Sequence, residues 1–153
     1  MLFSKSFGYA VRGILYIALM QEGSRRVQVE EIARRLGVPR HYMSKILKAL
    51  AKEGVLSSFK GPNGGFGLPA ATLQTSMLQV LHITDGANLF NRCVLRLHTC
   101  NPENPCPLHA RIETGKSGLF RILGHTTIAD LLNPDKEHLI QSLITELSPE
   151  DLK

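Results

Sequence analysis

Apolar residues recur at steps of three and four through the first third of the chain, with breaks at Gly23, Gly37 and Gly54. In SKSFGYAVRGILYIALMQEG, Ala10, Ile14, Leu15, Ile17 and Ala18 repeat at helical spacing, and the serines ahead of them are able to cap a helix. VQVEEIARRLGV predicts a short second helix with Ile32, Ala33 and Leu36 on its inner side, stopped by Gly37. Pro39 then suits the first turn of a third helix, PRHYMSKILKALAKEG, which runs to Gly54. Two helices separated by GVP predict a helix-turn-helix.

The third helix has two unlike sides. Met43, Ile46, Leu47 and Leu50 form a core-facing stripe, while His41, Ser44, Lys45 and Lys48 fall opposite at i, i+3, i+4 and i+7. No acid follows on that polar side until Glu53, whereas a merely solvated face usually mixes signs. Short polar and basic groups in this arrangement suit a helix lying in a DNA major groove. Arg40 at the helix start belongs to the same candidate surface, and Tyr42 is placed to serve as a core aromatic or as a phosphate contact.

Alternation replaces helical spacing in VLSSFKGPNGGFGLPA, and GPNGG is a strong turn cluster, which predicts a hairpin from about Val55 to Leu68. A hairpin directly after a recognition helix is the wing of a winged helix, with Lys60 and Asn63 near its tip. The glycine run lacks the following Lys-Ser or Lys-Thr of a phosphate-binding P-loop. TSMLQVLHITDGA predicts a further short helix capped by Thr75 or Ser76. Periodicity then stops from Asn88 to Pro105, and a long irregular stretch inside a compact chain is usually functional. PLHARIETGKSGLFRILGHT restores it, with Leu108, Ile112, Gly115, Leu119 and Ile122 along one stripe. Two glycines inside a helix cost about 2 kcal/mol relative to alanine, a loss that close packing of another helix, such as the same helix of a second copy, would offset. TTIADLL starts a short segment capped by Thr126 or Thr127, and Leu139, Ile140, Leu143 and Ile144 after Pro134 predict a last amphipathic helix.

Composition adds one thing to this outline. The chain of 153 residues is 43% hydrophobic and 20% charged, the balance of a globular protein, and its net charge of +5 is unevenly spread. Residues 1–70 hold eleven Lys and Arg against four acids, whereas residues 71–153 hold seven against nine. The basic half is the half with the helix-turn-helix, which points to a polyanionic partner, double-stranded DNA. No apolar run approaches the ~20 residues of a membrane span, and the N-terminus lacks the order of a secretory signal, so a cytoplasmic location with reduced thiols is expected. No nucleophile–base pairing or Rossmann fingerprint suggests an enzyme.

All three cysteines lie in CVLRLHTCNPENPCPLH. Three thiols cannot pair completely, and their spacing in a turn-rich loop is able to fold Cys93, Cys100 and Cys106 onto one centre. Cys106 precedes Pro107 at a helix start, a setting that favours the metal-binding thiolate. His109, three residues on, shares its face, and His98 inside the loop competes for the fourth position. Zinc sites more often use tight Cys pairs, which are lacking here, while iron–sulfur clusters tolerate looser spacing. Zinc and a metal-free thiol switch remain as alternatives.

Three stretches together, SKSFGYAVRGILYIA, VEEIARRLGVPRHYMSKILKALAKEGVLSSFKGPNGGFGL and CVLRLHTCNPENPCPLH, resemble the Rrf-type family of bacterial winged-helix transcriptional regulators over about residues 1–132. The third stretch resembles its cluster-binding branch, whose members are IscR-, NsrR- and RirA-like. The resemblance implies a mainly α fold with a small β-hairpin wing and a long dimerisation helix. It implies a homodimer on an imperfect palindromic operator, regulated through an iron–sulfur cluster, 2Fe-2S in preference to 4Fe-4S. Cys93, Cys100 and Cys106 match the cysteine ligands, and His109 matches the histidine at the same offset in IscR-like members. Gly8 stands where NsrR-like members carry an acidic ligand, and the first cysteine gap is one residue longer than in IscR-like members. The expected organisation is a winged helix-turn-helix over 1–70, a connecting helix over 71–87 and a cluster-binding loop over 88–106. A dimerisation helix with a short helix over 107–132 and a helical tail over 133–153 complete it.

Overall fold

The structure, a computed structural model, describes residues 2–145 except 22, 98, 133 and 134. His98 and Pro134 therefore lie outside the described residues, as do the side chains of Ile140 and Ile144. Seven α-helices and one hairpin are seen among the described residues.

Helix α1 (Lys5–Met20) starts where Ser4 Oγ accepts the Phe7 N–H at 3.2 Å. Its stripe of Ala10, Ile14 and Ile17 is fully buried, and every other helix of the head packs around it. Helix α2 (Val29–Leu36) carries Glu30 and Glu31 in its first turn and Arg34 and Arg35 in its last, matching the helix dipole at both ends. Gly37 closes it in the left-handed conformation at φ 62°. Helix α3 (Arg40–Lys52) follows with Pro39 as its N-cap, one position earlier than the expected first turn. Met43, Leu47 and Leu50 are fully buried against α1 and α2. Each such side chain contributes roughly 1.5–3 kcal/mol by leaving water.

The hairpin is shorter than the alternation predicts. Val55 and Leu56 are buried because their N–H groups bond back to Leu50 O at the end of α3, so pairing begins only at β1 (Ser57–Phe59) and ends with β2 (Gly65–Gly67). The register pairs Ser57 with Gly67, Ser58 with Phe66 and Phe59 with Gly65. On the other edge Phe66 exchanges both backbone bonds with Val27, at 2.8 and 2.9 Å, which ties the wing to the approach to α2. Gly65 has φ 140°, and a Cβ there would lie 2.7 Å from Val27 O, so this turn needs glycine.

Helix α4 (Met77–Asp85) is capped by Ser76 and packs on α1 and α3. Among the described residues, the irregular stretch after it contains one short 3-10 turn, Leu89–Asn91. Helix α5 (His109–His125) then runs back past α4, and its end is stapled there by an antiparallel bridge between Ser76 and Thr127. Helices α6 (Ile128–Leu132) and α7 (Lys136–Thr145) return to α1. Leu123 is the buried residue of α5, while Leu108 and Ile122 are exposed and a Cβ at Gly115 or Gly118 would meet nothing within 4 Å. Among the described residues no helix is long and apolar enough to cross a membrane.

Candidate DNA interface and cysteine loop

Burial of the apolar stripe of α3 leaves its opposite side outward. His41, Lys45 and Lys48 are exposed, and Ser44 is half-buried between them and the core. Tyr42 does not enter the core: it is 37% exposed, its ring meets Tyr9 edge-on at 5.8 Å, and its hydroxyl lies 3.0 Å from Ser6 Oγ. Arg40 is also exposed, but it is held by Glu30, with Nη2 and Nε at 2.6 and 2.7 Å from Oε1. The carboxyl of Glu30 is kept below the usual range first by a backbone N–H and then by this guanidinium. Arg40 is thus already engaged with an acid of α2, whereas Lys45 and Lys48 have no ion pair among the described residues.

Lys60 and Asn63 stand exposed at the wing tip, as the turn cluster places them. The structure adds Arg26, whose guanidinium lies over the Phe59 ring at 3.4 Å. It projects a second positive charge from the wing's flank. The sequence offered little signal for it, because the contact depends on Val27 joining the hairpin edge thirty-nine residues away in Phe66.

The cysteine segment is built differently. Its backbone is held by an isolated bridge between Arg92 and Thr99, by Cys100 N–H donating to Asn91 O at 3.0 Å and by a tight turn from Cys93 O to Arg96 N. Arg96 has φ 56°, a left-handed position unusual for its residue type. Lys116 Nζ of α5 donates to Arg92 O at 2.9 Å, and Phe90 meets Phe120 of α5 edge-on at 5.7 Å, so the loop is mounted on that helix. Cys93 is buried, and Cys100 and Cys106 are half-buried thiols. The Cys106 carbonyl accepts the His109 N–H at 2.9 Å, which makes Cys-x-x-His the first turn into α5.

That turn brings His109 Nδ1 to 3.2 Å from Cys100 Sγ. Glu113, one helical turn beyond His109, joins them: one donor atom from each of the three lies within 4.8 Å of the others. Cys93 and Cys106 are not in this group. Beside Cys93 opens a cavity of about 810 Å³, bordered by Arg92, Arg96 and Lys116. A cysteine sulfur and an imidazole are donors suited to zinc or to an iron–sulfur cluster rather than to oxygen-seeking calcium or magnesium.

Comparison with known proteins agrees with this geometry. The family model described as Rrf2, iron-dependent transcriptional regulator, matches residues 3–134. A protein of Aquifex aeolicus assigned to the HTH-type transcriptional regulators is 36% identical over 141 residues, covering 91% of this chain and 96% of the relative. The HTH-type transcriptional regulator IscR of Cronobacter sakazakii is 29% identical over 125 residues, covering 82% of this chain and 76% of the relative. Among solved structures, CymR, the global cysteine regulator of B. subtilis, shares the fold at a TM-score of 0.67 with 19% identity, over 84% of this chain and 94% of that one. A winged helix whose third helix turns a basic face outward, matched over nearly its whole length by such relatives, makes this chain a transcriptional regulator of the Rrf2 family.

Proposed function

We propose that this regulator is a cytoplasmic repressor which binds an imperfect palindromic operator as a homodimer and senses redox, nitric oxide, iron or iron–sulfur status through an iron–sulfur cluster. Cys93, Cys100, Cys106 and His109 hold the cluster, 2Fe-2S in preference to 4Fe-4S. The observation that carries the reading is the 3.2 Å approach of Cys100 Sγ to His109 Nδ1 across the loop. The basic border of the neighbouring cavity, Arg92, Arg96 and Lys116, favours the negative charge of a thiolate-ligated cluster. Homodimer formation is supported by exposed Leu108 at the N-cap of α5 and exposed Gly115 and Ile122 along it, a stripe that two copies would cover by packing the helix against itself.

DNA contact falls to Arg40, His41, Tyr42, Ser44, Lys45 and Lys48 on α3 and to Lys60 and Asn63 on the wing. When bound, the cluster supplies a charge and a ligand geometry that change on oxidation, nitrosylation or loss. The chain's own part is mechanical. The loop runs from the end of α4 to the start of α5, and Asp85 at that α4 end binds the N–H and hydroxyl of Ser4 ahead of α1. Rearranging the loop therefore shifts α5 against the head that carries α3. In a dimer joined through α5, such a shift alters the spacing of the two reading heads, and because phosphate contacts add, several are lost together.

The deciding experiment is the visible spectrum of anaerobically purified protein, with iron and acid-labile sulfide assayed on the same sample. Charge-transfer bands with matching iron and sulfide are expected. A protein that stays colourless, with neither element after anaerobic reconstitution, sinks the cluster and leaves a thiol-switched or zinc-stabilised repressor.

A further inference from the structure

Glu113 has no place in the ligand set just described, yet its carboxylate stands within 4.8 Å of the Cys100 and His109 donor atoms. It is exposed, and among the described residues no ion pair involves it. Lys116, the base three residues further along α5, is turned to Arg92 O instead. His109 and Glu113 are i and i+4, so both project from one face of α5. Cys100 is brought opposite them by the Arg92–Thr99 bridge and by its own bond to Asn91 O. Three elements of chain geometry thus place a thiol, an imidazole and a carboxylate together.

We infer that Cys100, His109 and Glu113 form a site for a single divalent transition-metal ion of the zinc class, filled when no cluster is present. A tetrahedral ion with bonds of ~2.3 Å to sulfur and ~2.0 Å to nitrogen holds those two atoms about 3.5 Å apart. The 3.2 Å between Cys100 Sγ and His109 Nδ1 needs only a small adjustment to reach that separation. Thiolate, imidazole and carboxylate are all zinc ligands, whereas calcium and magnesium would require an oxygen-rich set that this loop does not present. On binding, the Cys100 thiol gives its proton to solvent, and water completes the fourth position. The site rests on the geometry of these three donors and not on the cluster reading. Since it shares Cys100 and His109 with the proposed cluster, the two occupancies exclude one another. Glu113 then serves the mononuclear ion alone.

The test is an anaerobic Co2+ titration of the full, reduced, chelator-stripped chain, followed through the sulfur-to-cobalt charge-transfer band and the d–d bands of tetrahedral cobalt. One ion per chain is expected, displaced by Zn2+. Glu113→Gln is expected to weaken it at least ~10-fold, Glu113→Asp to retain part of the affinity, and Cys100→Ser to abolish the band. Cys93→Ser and Cys106→Ser are expected to leave it in place, which separates this ion from any cluster held by all three cysteines. Unchanged affinity in Glu113→Gln, or loss of the band in Cys93→Ser, overturns the inference. Circular dichroism of each variant guards against a folding artefact, and exposed Glu113 is the position least prone to one. Iron and sulfide in wild-type protein report on the cluster separately, so either reading is able to fail alone.

Discussion

The winged helix and the cysteine loop, separated along the chain by α4, are held together by different physics. In the first, Ile14, Ile17, Ile32, Leu36, Met43, Leu47 and Leu50 are all at 0% exposure in one continuous core. In the second, Val94, Leu95 and Leu97 are 50%, 42% and 64% exposed, and among the described residues only Cys93 is buried. A few backbone hydrogen bonds and the Lys116 tether stand where the head has a core. A segment with so little buried apolar surface opens at low free-energy cost, which is the property the proposed sensing loop needs. Apolar burial fixes the winged helix, while the proposed sensing would leave ligand bonds to fix the loop.

The largest expected effect breaks this contrast if it fails. Leu47→Ala should destabilise the metal-free chain by about 3 kcal/mol in urea denaturation, because its cavity lies where α1 meets α3. Val94→Ala in the loop should stay within ~0.5 kcal/mol. Equal losses would mean that the loop has a core of its own. Next in size is Gly65→Ala, expected to cost about 1–3 kcal/mol, since a Cβ 2.7 Å from Val27 O adds a clash to a backbone at φ 140°. The same substitution at exposed Gly115, where nothing lies within 4 Å, should be neutral or slightly stabilising in a monomeric chain. If α5 packs against its copy, Gly115→Ala instead weakens the dimer, read by sedimentation.

A smaller effect sharpens the role of the reader. Lys45→Ala should leave the urea midpoint unchanged and weaken DNA binding similarly across operator sequences, lowering the slope of log K against log salt by about 1 for each head. Arg40→Ala should do less to the salt slope, because its guanidinium is already paired with Glu30 at 2.6 Å. A larger loss for Arg40 than for Lys45 would show that DNA displaces the Glu30 bond.

The same division explains what the sequence made legible. The helix-turn-helix was readable because its signals are local: a capping serine, an apolar period, Gly37 in the left-handed region and Pro39 at a helix start. The wing was readable from GPNGG, although its length was not, since Val55 and Leu56 bond back to Leu50 rather than pair across. The confinement of the cysteines and the Cys-x-x-His turn were visible as spacing. Partners distant in the chain were not: Arg26 on Phe59, Tyr42 beside Ser6, and Glu113 beside Cys100 arise from tertiary packing. Glu113 left one trace, its four-residue step from His109.

The smallest effect falls where the two regions are joined. At the start of α6, Asp130 accepts from Thr127 N at 2.8 Å and from its hydroxyl at 3.0 Å, and returns its own N–H to Thr127 Oγ1 at 3.2 Å. These bonds hold the Asp130 carboxyl below the ordinary aspartate range, the backbone N–H being the main cause and the hydroxyl the second. A depressed folded-state pKa means that the stabilisation is present above the unfolded aspartate value and is lost as pH falls through the folded one. Asp130→Asn should therefore lower the urea midpoint slightly at neutral pH, and the gap from wild type should close as the pH drops below about 4. Because Thr127 also bridges Ser76 at the start of α4, loosening this cap frees the end of α5 from the reading head. Under the proposed sensing, Asp130→Asn should then weaken the coupling between loop state and DNA affinity while leaving each separately intact. If the coupling is unchanged in Asp130→Asn, the signal reaches α3 through Asp85 and Ser4 at the other end of α4 instead.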